Sequence, residues 1–331
     1  MDKKLLAGLS ALLISVSYSS LVGAQDEAWQ PSRTINGQVD LQGVWANNSI
    51  TPLQRAEGFE DRAILNEQEY ARLQAGVAEI LQGGGDAQFG DGFFNALVTG
   101  EVESYDPSTG NYDQTWMSDR NLENRTSLIV DPVNGRLPPY TEVAQARVTA
   151  RVEHIEEHPA DSWTDRPLQE RCITYGMPYL LAGYNSYFQI VQSEDQVAII
   201  QEMIHDVRII PLTSKPHADG KIRLWHGDSR GYWDGDTLVV ETRNFSDASD
   251  LLGAGGNRLF TERFSRTAED NLRYEFTIED EVTWTAPWTA VINYTGSADP
   301  IFEYACHEGN YGLFGILSGH RAQERAVEDS D

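Results

Sequence analysis

Three blocks of the sequence set ionisable side chains among apolar or aromatic neighbours. The first is Gln201-Glu202-Met203-Ile204-His205-Asp206-Val207-Arg208-Ile209-Ile210. Read as a strand, it puts Glu202, Asp206 and Arg208 on one face with Ile200 and Ile204, and His205 on the other between Met203 and Val207. Unpaired charges in such company are costly, so they need partners or a cavity. His205 is then either a core histidine hydrogen-bonded to a neighbouring strand or a general acid/base.

The second block runs Trp225-His226-Gly227-Asp228-Ser229-Arg230-Gly231-Tyr232-Trp233. Asp228 and Arg230 can form an internal salt bridge or contact a ligand beside Trp225. A Ser-His-Asp hydrolase could be drawn through Ser229, but no G-x-S-x-G elbow surrounds it. The third block is Phe302-Glu303-Tyr304-Ala305-Cys306-His307-Glu308-Gly309-Asn310-Tyr311, where strand register puts Glu303 and His307 on one face. A Cys172–Cys306 bridge would bring them towards Arg171, Tyr175, Tyr184 and Asn185. Imidazole, carboxylate, phenol and guanidinium together suit proton abstraction with oxyanion stabilisation, as in a lyase, hydratase or isomerase. In that reading His205 or His307 is the base, Tyr175 or Tyr184 the acid, and Arg171 or Arg208 the anion clamp. The same groups beside Trp284 and Trp288 equally suit a cleft for a small amphipathic or carbohydrate-derived ligand. A non-catalytic periplasmic carrier is therefore the alternative.

A metal-dependent hydrolase would need His205, His217, His226 and His307 to converge with Glu202 or Glu303. No H-E-x-x-H, H-x-H or paired-carboxylate spacing supports that, so no metal is expected. Gly83-Gly84-Gly85 lacks the Lys-Ser/Thr of a phosphate loop, and no cofactor is implied.

Acidic residues outnumber basic ones 51 to 25, for a formal charge of −26. Such a surface repels nucleic acid and anionic lipid, leaving a small molecule as the expected partner. Residues 1–24 carry Lys3-Lys4, an apolar core from Leu5 to about Val16, and a small-x-small end at Val22-Gly23-Ala24. These features predict a secretory signal cut after Ala24 and a periplasmic or secreted protein; an uncleaved anchor is the rival. No other stretch approaches about 18 apolar residues, so stable membrane insertion is not expected. Two cysteines in an exported chain, without C-x-x-C spacing, favour one disulfide over a redox or zinc site; two buried thiols are the alternative. The bridge would close a loop of about 135 residues, worth roughly 5 kcal/mol in the chain-entropy model. Oligomeric state is not encoded legibly.

Residues 25–37 read as a loose N-terminus, and Asp40-Leu41-Gln42-Gly43-Val44-Trp45 as a short strand. Asn66 and Glu69 form a capping box for a helix to about Leu81, and residues 83–124 read as long loops. Thr126–Val130 suits a strand, and Thr141 the N-cap of a helix to about Glu157. From Ser186 onward, segments of about 8 to 12 residues alternate apolar and polar between turn signals at Lys215-Pro216, Asp234-Gly235-Asp236, Glu269-Asp270-Asn271 and Ser297-Ala298-Asp299-Pro300. In the clearest, Leu272, Tyr274, Phe276 and Ile278 face one way and Arg273, Glu275, Thr277 and Glu279 the other.

The expected fold is mainly β: an antiparallel up-and-down, lipocalin- or calycin-like barrel, or a strongly curved sheet, with an N-terminal helical and loop layer. A twisted open sheet or a sandwich is the competitor. The expected organisation is a single domain over 25–331, its barrel spanning 185–320. Gly43-Val44-Trp45 resembles the G-x-W that opens the first strand of lipocalin-like barrels. Longer blocks, Asp40–Trp45, Arg125–Pro132, Glu170–Thr174, Glu202–Leu212, Gly227–Gly231 and Glu303–Tyr311, resemble the signatures of an uncharacterised family of exported bacterial proteins. That resemblance implies one full-length module and carries over no catalytic residue.

Overall fold

The computed structural model describes residues 29–59, 62–83, 90–100, 119–180 and 182–329. The expected signal segment and its cleavage site lie outside them. Every strand and helix named below lies within Pro31–Asp331.

The strands are β1 (Gly43–Ala46), β2 (Ile129–Asp131), β3 (Tyr187–Gln192), β4 (Gln196–Gln201), β5 (Val207–Pro211), β6 (Asp228–Asp234), β7 (Thr237–Arg243), β8 (Leu259–Ala268), β9 (Asn271–Glu279) and β10 (Trp288–Ser297). They form one antiparallel sheet in the order β5-β4-β3-β1-β10-β9-β8-β7-β6, with β2 alongside β10. The fold is therefore mainly β and antiparallel as expected, but the sheet takes the open, curved form. Two meanders, β3 to β5 and β6 to β10, are joined through β1 rather than in simple succession. The end strands approach at one seam, where Leu212 bridges Gly231 in parallel. Gly231 permits that approach, since a Cβ there would lie 2.9 Å from both Ile210 Cγ2 and Leu212 Cδ2.

Period-two alternation drives this arrangement. Leu272, Tyr274, Phe276 and Ile278 all point inward and are completely buried, each burial of such a side chain being worth about 1.5–3 kcal/mol. Opposite them, the small Ala290 pairs with Phe276 and Ile292 pairs with Tyr274. Tyr274 then stacks on Tyr294 at 5.3 Å and packs on Phe264 at 4.9 Å, while Phe188 meets Tyr294 edge-on at 4.8 Å. The sheet encloses packed aromatic rings. Two-residue connections at Gly235-Asp236 and Glu269-Asp270 link β6 to β7 and β8 to β9, where the turn chemistry placed them.

Four helices complete the unit: α1 (Glu67–Gly83), α2 (Gly90–Thr99), α3 (Glu142–Glu157) and α4 (Gly312–Glu328). The capping box of α1 forms, with Glu69 N donating to Asn66 Oδ1 (2.9 Å) and Asn66 N donating to Glu69 Oε2 (3.1 Å). Thr141 caps α3 by accepting from Ala144 N. A second, smaller core joins Leu73, Val77, Phe93 and Phe94 to Ile50 and Leu122.

Several expectations need correction. The loops read over 83–124 contain α2, whose Gly-Asp-Gly start hid an apolar Phe93-Phe94 face; residues 84–89 and 101–118 lie outside the described set. Strands end at Ser297, and 312–328 is helix, so the barrel does not extend to 320. Residues 31–37 are not loose: Arg33 bridges Val39, which is buried beside Leu41. The strand read across 201–210 breaks at a single 3-10 turn, Met203–His205, where Ile204 and His205 adopt φ of +62° and +45°. Residues 302–311 form no strand: 306–309 are a turn and the rest is irregular.

Candidate functional site

The disulfide organises the site. Cys172 is bonded to Cys306 with Cα atoms 5.7 Å apart, as expected. It pins the 171–180 segment beside the 302–310 segment. Glu202 adds a second tie: it accepts from Asn185 Nδ2 (2.5 Å) through one oxygen and from Phe302 N (3.2 Å) through the other. Glu202 is buried, and its two oxygens are used for holding backbone segments.

Between these ties lies a narrow cavity lined by Tyr175, Tyr179, Ser186, Phe188, Gln201 and Met203. Its walls come from the end of β4, the start of β3 and the 175–179 segment. Its volume is about 20 Å³. Three buried polar atoms of the lining residues have no hydrogen-bond partner: Tyr179 Oη, Ser186 Oγ and Gln201 Oε1. Buried polar atoms are normally satisfied, so three unsatisfied ones among the residues lining one cavity mark this region as a candidate site. Burial raises the pKa of both Tyr175 and Tyr179, with the neighbouring phenol of Tyr304 adding to the effect at Tyr175 and Arg208 opposing it at Tyr179. Both phenols stay neutral across the physiological range.

Next to the cavity in sequence, Thr174 is buried and its Oγ1 lies 2.6 Å from His226 Nε2 while accepting from Gly176 N. Asp206 Oδ2 is 3.3 Å from the same nitrogen. Hydroxyl, imidazole and carboxylate thus meet at one point, though both partners use Nε2 rather than opposite ends of the ring.

The expected residues divide into those this region gathers and those it does not. Tyr175, Asn185, Glu202, Asp206, Cys172 and Cys306 belong to it. His205 is on its rim, exposed, with Nδ1 at 2.7 Å from the Tyr304 carbonyl. That contact requires a proton on Nδ1 and leaves Nε2 as the lone-pair nitrogen of the neutral ring. Glu303 and His307 are exposed, and the strand face they were expected to share does not exist. Tyr184 is half-buried and engaged by neighbours. Arg171 stacks its guanidinium 4.5 Å over the Trp163 ring.

Trp284 and Trp288 are not cleft residues. Both are buried in the core and packed edge-on at 5.6 Å: the strand period turns Trp288 inward at the start of β10, and Trp284 sits in the preceding turn, bridging Tyr140. Nor is Arg208 available as a clamp. It is buried, donates from Nη1 and Nη2 to Glu262 Oε2 (2.7 Å) and Oε1 (3.0 Å), and lies 5.6 Å from the Tyr179 ring centre. Burial alone would lower its pKa, but the charge of Glu262 outweighs that and leaves it raised.

Asp228 and Arg230 form the internal salt bridge, at 2.5 Å, and His217 and Ala218 N also contact Asp228. Trp225 is partly exposed on the loop before β6. Ser229 is buried against Thr242 (2.9 Å), which removes it as a nucleophile for His226. His205, His217 and His226 each contact a different partner, His307 is exposed on the 306–309 turn, and no metal-like group containing any of the four occurs among the described residues.

Reading the sequence missed Thr174, Tyr179, Ser186, Gln201, His226 as a site member, and Glu262. Two of these had a signal. Glu262 falls on the inward face between Phe260 and Phe264, and Gln201 follows Val197 and Ile199 at the same period.

No protein-family model matches the chain, and no curated protein matches it. Among solved structures, a secretary abundant heat soluble (SAHS) protein from Ramazzottius varieornatus is similar at 13% identity, over 34% of this chain and 70% of that one, with a TM-score of 0.22. A likeness at that level carries no argument about fold or activity here.

Proposed function

We propose that this is an exported small-molecule binding protein whose site is the cavity between Tyr175 and Gln201, taking the amide or N-acetyl end of a carbohydrate-derived ligand. The observation that carries this reading is that three residues lining one cavity, Tyr179, Ser186 and Gln201, each hold a buried polar atom without a hydrogen-bond partner. Gln201 Oε1 can only accept, whereas the Tyr179 and Ser186 hydroxyls can donate. An amide supplies the matching pair, its N–H for Gln201 and its carbonyl for a hydroxyl. Its methyl would meet Phe188 and Met203, and the rest of the ligand would lie across Tyr175. With about 20 Å³ open inside, the interior takes only the tip of the amide end group, leaves the rest of it at the mouth, and excludes a whole sugar ring. Export is supported by the disulfide and by the signal-like N-terminal sequence. The six shared sequence blocks are proposed as signatures of a family built on this same module.

Isothermal titration with N-acetylglucosamine, with glucose as the control, tests the reading. Binding of the N-acetyl sugar alone, weakened at least tenfold by Gln201→Leu, is expected. Failure to bind either sugar or acetamide would overturn it, as would an experimental structure in which one ordered water bonds all three atoms.

A second reading, an acid/base enzyme of the lyase, hydratase or isomerase kind, rests on the Thr174, His226 and Asp206 meeting point. It moves the base from His205 or His307 to His226. The two readings separate on His226→Ala: a binder keeps its affinity, whereas an enzyme keeps binding and loses turnover.

A further inference from the structure

Three of the chain's seven histidines, His154, His158 and His320, gather far along the sequence from the cavity residues. His154 and His158 sit on the last turn and C-cap of α3, with rings 5.1 Å apart. His320 and Glu324 are one helical turn apart on α4, so their side chains project from the same face. Asp161, in the link after α3, lies between the two helices. Its Oδ1 is 3.3 Å from His320 Nε2, and that nitrogen is 3.5 Å from Glu324 Oε1. One ligand atom from each of Asp161, His320 and Glu324 falls within 4.8 Å of the others.

We propose that Asp161, His320 and Glu324 bind one divalent transition-metal ion of the zinc type, and that the ion fastens α4 to the segment following α3.

Three physical points support this. A tetrahedral ion with bonds of about 2.0–2.1 Å holds neighbouring ligand atoms about 3.3–3.4 Å apart, which is the spacing already present on two edges of the triangle. The outer oxygen of Asp161 is held by His158 Nδ1 at 2.9 Å, the kind of outer contact that orients a metal-ligating carboxylate. A neutral imidazole with two carboxylates, leaving a position for water, suits a borderline ion such as zinc.

The helix also has need of a fastener. No described side chain of α4 is buried, and Phe314 and Val327 are 73% and 62% exposed. Its attachments near Asp161 are polar: Arg321 donates to the Asp161 carbonyl (2.7 Å) and binds Glu324 through Nε (2.5 Å). Arg321 can keep Glu324 Oε2 while the ion takes Oε1, although its Nη2 now donates to Oε1 and must turn away.

The test uses the full chain, stripped with chelator, dialysed, and titrated with zinc chloride at pH 7.5. One ion per chain is expected. His320→Ala and Asp161→Asn should each weaken binding at least tenfold, and Glu324→Gln, which preserves helix propensity, should do likewise. His307→Ala, on an exposed histidine outside the cluster, should bind as the parent does. Zinc should also slow tryptic cleavage after Arg325 in the parent and not in His320→Ala. Absence of one-to-one binding overturns the proposal, and so does equal affinity in His320→Ala.

Discussion

Replacing Arg208 with Met should cost about 3–5 kcal/mol, the usual penalty for removing one partner of a buried ion pair. The geometry places this pair at the demanding end of that range. The Arg208 and Glu262 side chains are 3% and 0% exposed, and Glu262 accepts three hydrogen bonds, two from Arg208 and one from Tyr274 Oη at 2.9 Å. Without Arg208, the carboxylate would keep only the Tyr274 hydrogen bond inside a wall of aromatic rings. Removing both charges is different, because the desolvation of each ion disappears with the ion. Arg208→Met combined with Glu262→Met should therefore lie within about 1 kcal/mol of the parent or exceed it. Urea denaturation of the parent, both single variants and the double variant closes the cycle. Single substitutions costing less than about 1 kcal/mol, or a double variant as damaged as the two singles added together, would refute the reasoning.

Two other outcomes rest on local geometry. The Asp228 carboxyl is drawn up by partial burial but held below its ordinary value by the Ala218 N–H and by Arg230, so its contribution is present at neutral pH and lost as pH falls through the acid range. Asp228→Asn should flatten the fall in denaturation midpoint between about pH 5 and pH 3, the two proteins converging in acid; unchanged slopes would contradict this. Gly227→Ala should be more damaging than Gly231→Ala. At Gly227 a Cβ meets the Arg243 carbonyl oxygen at 2.5 Å with φ at +66°, whereas at Gly231 it meets only side-chain methyls that can yield. The first should exceed about 2 kcal/mol and the second fall near 1–3 kcal/mol of ordinary overpacking, with thermal midpoints giving the ranking.

What was legible in the sequence was local. Alternation along 272–279, the Asn66 and Thr141 caps and the paired turn residues each determine their own neighbourhood, and each forms as read. The bridge between Cys172 and Cys306 was legible for another reason: with two cysteines there is only one pairing within the chain. Long-range placement was not legible. Trp284 and Trp288 look the same in sequence whether they line a cleft or a core, and only the partner strands decide it. Glu202 and His205 shared a block that reads as one strand, yet two residues with positive φ reverse the chain there. The cavity was missed because Ser186, Gln201 and Tyr179 are ordinary residues individually. They become conspicuous only when their polar atoms are found together without partners.

The buried ion pair and the cavity are joined through one residue. Tyr179 stacks on Phe188 at 5.6 Å, and its ring lies near the Arg208 guanidinium. Its carbonyl accepts from Tyr294 Oη and its own hydroxyl group lies unpartnered in a residue lining the cavity. A tyrosine held on so many sides has few rotamers left, so its hydroxyl is presented in a fixed direction without the entropy cost of being ordered by a ligand. A hydrophobic pair in place of Arg208 and Glu262 could match the stability of the fold while losing the cation beside the Tyr179 ring. The charged pair thus has a rationale that stability alone does not provide. Under the proposed binding function, it sits where fixing the orientation of one hydroxyl would matter more than the last kilocalorie of packing.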